Sequence, residues 1–258
     1  MIRLLFILGI LFLPAHASET IVVNSGNQQV AVVELYTSEG CHSCPPADKW
    51  LSRLEDTLRD EFEVLPLGFH VDYWDYLGWK DRFSNKAYTS RQRQLGANNL
   101  QRTIYTPEFF VNGVETRGAN AILDKIQSVN RQQAPLQLRL TVSRGKDTLD
   151  CNLQSPGDRK TVGQVHHRYI VYENNLVTEV LRGENSGKTL EHQHVVRYMS
   201  NAISLQTENN HQIPIDPNWN PENIGIAVLV TSPGNLHYLQ AIHTPVSSLL
   251  FRELSLNP

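Results

Sequence analysis

The feature that most constrains this chain is a pair of cysteines separated by two residues, Cys41-His-Ser-Cys44, set between an apolar run and a helical pattern. Ala31 to Leu35 has the length and composition of a buried strand. Thr37 to Gly40 make a polar, glycine-containing turn. After the cysteines, Trp50, Leu51, Leu54 and Leu58 recur at helical spacing. Strand, turn, cysteine pair and helix in that order put two thiols at a helix N-terminus. There the unpaired N–H groups and the helix dipole favour thiolate over thiol. Pro45 and Pro46 fit the placement, because the first helical turn loses no hydrogen bond to proline.

The chain has 258 residues, 40% of them hydrophobic, which is enough for one large or two modest domains with real cores. A formal net charge of −3 and scattered Lys and Arg give no electrostatic case for a nucleic-acid partner. Met1-Ile-Arg3, the apolar run Leu4 to Leu13 and Ala15-His-Ala17 have the three-part order of an export signal. Residues 1–17 are therefore expected to be cleaved after Ala17, leaving a periplasmic or secreted protein. The apolar run is too short for a permanent span and no later segment is long enough, so no membrane span is expected after cleavage. In an oxidising compartment disulfides form and persist. Of three cysteines, Cys41 and Cys44 pair naturally, leaving Cys151 over. Cys151 shares one face of an alternating run with Leu149 and Leu153, the pattern of a core thiol more than of a bridging or regulatory one.

In order along the chain, Thr20 to Val23 reads as a short edge strand, and the helix after Cys44 as ending near Arg59 or Asp60. Phe62 to Val71 is a second strand with Pro66 and Gly68 near its centre, parallel to the first through a right-handed crossover. The aromatic stretch from His70 to Asp81 holds Tyr73, Trp74, Tyr76 and Trp79, and either fills a seam or touches substrate beside the thiols. Asp81 is predicted to cap a helix over Ser84 to Leu95. Phe109 to Val111 and Val114 form a hairpin about Asn112-Gly113, with Pro107 at the start of its first strand. A helix from Ala119 to Gln132 closes this unit, which is α/β and spans 28–133.

From Pro135 the character changes to alternating runs: Leu136 to Val142, Leu149 to Leu153, Val165 to Glu173, Leu176 to Val180, His192 to Gln206, Ile224 to Thr231 and Leu236 to His243. Turns such as Ser-Pro-Gly-Asp158 and Ser-Pro-Gly-Asn235 punctuate them. They predict an all-β sandwich domain over 134–258.

The chain resembles the bacterial secreted family known as domain of unknown function 1223, of the thioredoxin-like superfamily. The likeness rests on Val33 to Asp48, on His70 to Asp81, and on Arg91-Gln-Arg-Gln94, Tyr105-Thr-Pro107 and Val111-Asn-Gly113. It continues in the second half with Arg182-Gly-Glu-Asn185 and His194-Val-Val-Arg197. The resemblance implies an N-terminal thioredoxin-like domain followed by a C-terminal β-sandwich. Through the superfamily it implies thiol–disulfide exchange, with Cys41 attacking and Cys44 resolving. In such a fold a Thr-Pro before the hairpin is the usual place for a cis-proline loop facing the thiols.

The chemistry expected is exchange through a mixed disulfide, with Cys41 nearer solvent and Cys44 one turn inward. Thr106 and Pro107 would offer backbone groups to an extended substrate strand, and Trp74 and Trp79 would contact it. His42 is either a cation that stabilises the thiolate or an inert exposed residue. Partners would be protein or small-molecule thiols and disulfides; the residues ask for no cofactor and form no metal set. Three alternatives stay open. One is a structural disulfide, although so small a ring removes little chain entropy. Another is Cu(I) or zinc handling by both thiolates with His70. The third is a non-enzymatic binding or assembly protein. His166, His167, His192 and His194 read as exposed strand residues, the last two sharing a face. No Gly-x-Ser-x-Gly and no phosphate-binding glycine loop is present.

Overall fold

The structure, a computed structural model, describes residues 19–156, 164–234 and 236–250. The expected export signal lies outside them, as do parts of the turns at Asp158 and Asn235. The described chain begins with β1 (Thr20–Asn24), β2 (Ala31–Thr37), α1 (Pro45–Leu58) and β3 (Val64–His70). Every residue of β2 and β3 is buried. Their unbroken apolar runs suit parallel strands covered on both faces, and they pair in parallel from Ala31–Val64 to Thr37–His70. A 3-10 turn at Asp75–Leu77 leads to α2 (Lys86–Asn98), β4 (Glu108–Val111), β5 (Val114–Glu115) and α3 (Ala119–Asn130). Asn112 and Gly113 both take positive φ, 46° and 81°, as the tight hairpin turn between β4 and β5 demands. The Thr106–Pro107 peptide is cis.

One boundary differs from the sequence reading. Asn85, not Asp81, caps α2, its side chain accepting the Ala87 N–H at 2.9 Å. Asp81 is instead drawn into the interior by His70 and by the backbone of Glu39.

The remaining elements are β6 (Arg139–Arg144), β7 (Thr148–Gln154), β8 (His166–Glu173), β9 (Leu176–Glu179), β10 (Thr189–His192), β11 (Val195–Met199), β12 (Ile203–Ser204), β13 (Glu208–Pro214), β14 (Ile224–Thr231), β15 (Tyr238–Pro245) and the short α4 (Ser247–Leu250). The run expected as one strand from His192 to Gln206 is broken, because His194 turns the backbone at φ 56° between β10 and β11. β13 had no periodic signal: its inward residues are Asn209 and Ile213, one of them polar.

The protein is mixed α/β and mostly strand. Its largest sheet runs β15-β14-β8-β11-β3-β2-β4-β5, with β12 attached to β8. Strands from before and after residue 134 thus share one sheet, meeting where Val195 of β11 lies beside Gly68 of β3. A second sheet, β1-β6-β7-β13, packs Leu140, Val142, Leu149 and Leu153 against Tyr169, Val171, Ile226 and Val228 of the first. β9 and β10 form a separate two-stranded hairpin that packs on α1. Across the middle, buried Arg91 of α2 holds Glu34 of β2 at 2.8 Å and also meets Tyr238 of β15. Removing one partner of such a buried pair costs about 3–5 kcal/mol, because the other charge is stranded. No helix among the described residues is long and apolar enough to cross a membrane.

Candidate functional site

Cys41 and Cys44 are joined as a disulfide. Cys44 stands at the N-cap of α1, followed by Pro45 and Pro46, and its carbonyl accepts the N–H groups of Ala47 and Asp48. The expectation that Cys41 lies nearer solvent is corrected here: both cysteines are 0% exposed. The covering comes from parts of the chain that local sequence does not connect to them. Trp74 packs on Gly40, so closely that a Cβ there would lie 3.3 Å from the Trp74 Cβ. Segment 180–188, between β9 and β10, lies against the turn from Glu39 to His42. Its Asn185 is fully buried and donates to the carbonyls of Glu39 at 2.8 Å and Cys41 at 2.9 Å. Glu184 accepts the His42 N–H at 3.0 Å. Gly183, at φ +76°, passes so near Trp79 that a Cβ would sit 3.1 Å from it.

The other residues singled out from sequence gather around this covered bond. The Trp74 indole donates to Thr106 Oγ1 at 2.8 Å, so one ring links the thiol-bearing turn to the cis Thr106–Pro107 loop. The Trp79 indole donates to Glu39 Oε2 at 2.8 Å. His42 is exposed, beside exposed Ser43, whose Oγ lies 3.4 Å from Cys41 Sγ.

Beneath the turn lies a group of ionisable side chains. His70 Nδ1 meets Asp81 Oδ2 at 2.6 Å, both buried. Asp81 also accepts the N–H groups of Glu39 and Phe83. The His192 and His70 rings stand 5.0 Å apart, with His192 Nε2 3.5 Å from Glu39 Oε1. Thr37 donates to Asp48 Oδ2 at 3.1 Å. Glu39 Oε1 and both ring nitrogens of His192 are buried without a hydrogen-bond partner among the described residues. Burial opposes charging of His70, but the Asp81 carboxylate outweighs it and the imidazole is pushed up to about 8. Burial likewise opposes charging of Asp81, and His70 with two backbone N–H groups holds it below the usual carboxylate range. Burial raises the Asp48 carboxyl, opposed by His192 and His70. Asp48 and His192 reach solvent through a cleft of about 380 Å³ lined also by Pro45, Lys49, Ser52 and Thr189.

Residues 32–231 match the family described as a protein of unknown function, DUF1223. The chain belongs to this family. It is similar in structure to a protein of Agrobacterium tumefaciens, at 24% identity and a TM-score of 0.63, over 85% of this chain and 95% of that one. It is also similar to HBP35 of Porphyromonas gingivalis, at 18% identity and a TM-score of 0.65, over 86% of this chain and 76% of the other. At these identities the likeness shows the fold alone. Among curated proteins, none matches.

Several site residues of this DUF1223 chain escaped the sequence reading. The histidines expected on exposed strand faces are corrected: His167, His192 and His194 are buried at 1%, 2% and 6% exposure. His192 and His194 do not share a face either, since β10 ends at the first and the backbone turns at the second. His70, considered above as a metal ligand, spends its Nδ1 on a buried hydrogen bond to Asp81. Asp48 had one available signal, its place one turn after Cys44 on the same helix face. Asn185 had only its place in Arg182-Gly-Glu-Asn185, far from the cysteines in sequence. Among the described residues no group of three or more His, Cys, Asp or Glu is arranged to hold a metal.

Proposed function

We propose that this is an exported thiol–disulfide oxidoreductase-like protein, with a thioredoxin-like unit over 28–133 carrying the exchanging pair and a β-sandwich over 134–258 helping to enclose it. The observation that carries the reading is the set Glu39, Asp48, His70, Asp81 and His192, gathered in the interior around the turn and helix that hold the disulfide. Buried ionisable groups cost stability unless paired, and they cluster where protonation is part of the chemistry. A cross-link serving shape alone has no need of them.

In the proposed reaction a partner thiolate attacks Cys41 Sγ, forming a mixed disulfide and expelling Cys44 as a thiolate. Asp48 supplies the proton that Cys44 takes up, and regains one through the solvent cleft. The partner's second thiolate then attacks its own bonded sulfur, releasing Cys41 with the partner oxidised by two electrons. That sequence donates the disulfide; run in reverse, the dithiol form reduces a partner disulfide and is itself reoxidised. The helix N-terminus favours either thiolate, and the Thr106–Pro107 loop offers its backbone to an extended partner strand.

A second reading is favoured by one observation, the 0% exposure of both cysteines: an inert disulfide in a partner-binding protein. The test is the reduction potential of the Cys41–Cys44 pair, together with exchange against a protein dithiol. A potential within the range of known oxidoreductases, roughly −270 to −120 mV, with turnover supports exchange. A value below about −300 mV with no transfer to any dithiol leaves the structural reading.

A further inference from the structure

A sulfur with no exposed surface cannot be approached by a nucleophile from outside, so the pair either stays inert or is uncovered by a movement. We infer that segment 180–188 is a hinged latch that closes over the Cys41–Cys44 disulfide, with Asn185 as its catch; this rests on the exchange reading above and adds the control of access to that site.

The segment is built to move as a body. Within it, Val180 and Lys188 pair through Val180 N–H to Lys188 O at 2.9 Å, and Gly187 donates to Val180 O at 2.7 Å. Ser186 bonds back to Gly183 and Leu181, and Lys188 to Asn185 through both backbone and ammonium. Gly183 and Gly187 hold positive φ, 76° and 81°, which shapes the turn without strain. Among the described residues its strands β9 and β10 pair only with each other, so swinging the hairpin breaks no ladder of the large sheet.

Against this internal bonding, the bonds to the thiol-bearing turn are few. Asn185 grips the carbonyls of Glu39 and Cys41, and Glu184 accepts from His42. The hairpin is held further by a bond from Arg82 to the Val177 carbonyl at 2.8 Å and by His192 of β10, which stands 3.5 Å from Glu39 Oε1 and against the His70 ring. Leu181 stands 71% exposed at the latch's edge, and Tyr76 on the neighbouring turn is 81% exposed. A segment well bonded inside and lightly bonded to what it covers opens before the fold does.

The experiment follows reduction of the disulfide in the whole mature chain by excess dithiothreitol, read as the rate at which the thiols become reactive to a maleimide under native conditions. Asn185→Ala is expected to accelerate reduction at least tenfold over wild type, with native circular dichroism retained. Should that variant fail to fold, Lys188→Met, which keeps Asn185 but removes the ammonium that its side-chain Oδ1 accepts from, is expected to accelerate it several-fold. In that variant amide hydrogen exchange at His42, whose N–H is held by the latch, should quicken in step. Rates within twofold of wild type in the folded variants overturn the latch. So does faster reduction without faster exchange at His42. Failure of the exchange reading looks different: the variants open and reduce quickly, yet pass no disulfide to or from a protein dithiol.

Discussion

Sulfur is buried in two places in this molecule, and the surroundings differ. Cys151 on β7 is 3% exposed among Leu149, Leu153, Val142 and Tyr169, inside the core between the two sheets. Burial, with Asp150 beside it, pushes that thiol up to about 12, and its Sγ reaches the Leu149 carbonyl at 3.8 Å. Cys41 and Cys44 are covered as fully, but by an indole, an asparagine and a turn underlain by carboxylates and imidazoles. The first environment is what an inert side chain of that size finds in a core. The second retains polar groups that an inert bond would not require. Depth of burial therefore separates the two sites less well than the chemistry of what does the burying.

The sharpest way to break the contrast is to remove each sulfur in turn. Cys41→Ser is expected to abolish dithiol exchange, a loss of at least about a hundredfold, and Cys44→Ser to trap mixed disulfides visible on non-reducing gels. Cys151→Ala should leave exchange unchanged; parallel losses in all three would show that the sites do not differ.

Asp48→Asn comes next. Loss of a positioned proton donor typically lowers a rate by about 10²-fold or more. Reduction by a protein dithiol should slow on that scale, and the fall in rate as pH rises through the raised carboxyl pKa should vanish. A pH profile identical to wild type would mean that Asp48 does not reach the chemistry.

The His70–Asp81 pair gives a stability prediction whose direction is set by linkage. His70 titrates at about 8 folded against 6.5 unfolded, so its contribution is complete below 6.5 and disappears as pH rises through 8. The shift corresponds to about 2 kcal/mol. Asp81 works at the opposite end, its contribution present above its ordinary carboxylate pKa and lost as pH falls through the lowered one. His167, His194 and His243, each lowered to about 4 by burial first of all, act in the opposite sense. The measurement is therefore a difference: the stability lost in His70→Asn relative to wild type, read by urea denaturation, should be larger at pH 6 than at pH 9. Smallest is the effect of Cys151→Ala on stability, about 1 kcal/mol from the lost packing. Native alkylation of Cys151 should be far slower than in urea.

Much of the local framework was readable in advance. The strand, turn, helix, strand order around Cys41 follows from an apolar run, helical spacing and two prolines, and β2, α1 and β3 lie within a few residues of those bounds. Asn112-Gly113 requires positive φ twice and so announces its own hairpin. Asp81 shows the limit of such reading. An aspartate three residues before a helical pattern looks like a cap, but a buried imidazole 2.6 Å away binds it more strongly than a helix end could.

What the chain determined by itself is therefore where two sulfurs can bond and which backbone carries them, because ring size, turn chemistry and helix initiation act between near neighbours. Tertiary structure decided everything that governs their reactivity. Asn185 reaches the carbonyl of Glu39 across 146 residues of chain, and His192, which reads from sequence as an exposed strand residue, approaches Glu39 in the interior. Exposure and proton affinity are properties of surroundings rather than of residues, and these surroundings exist only once distant segments have packed together.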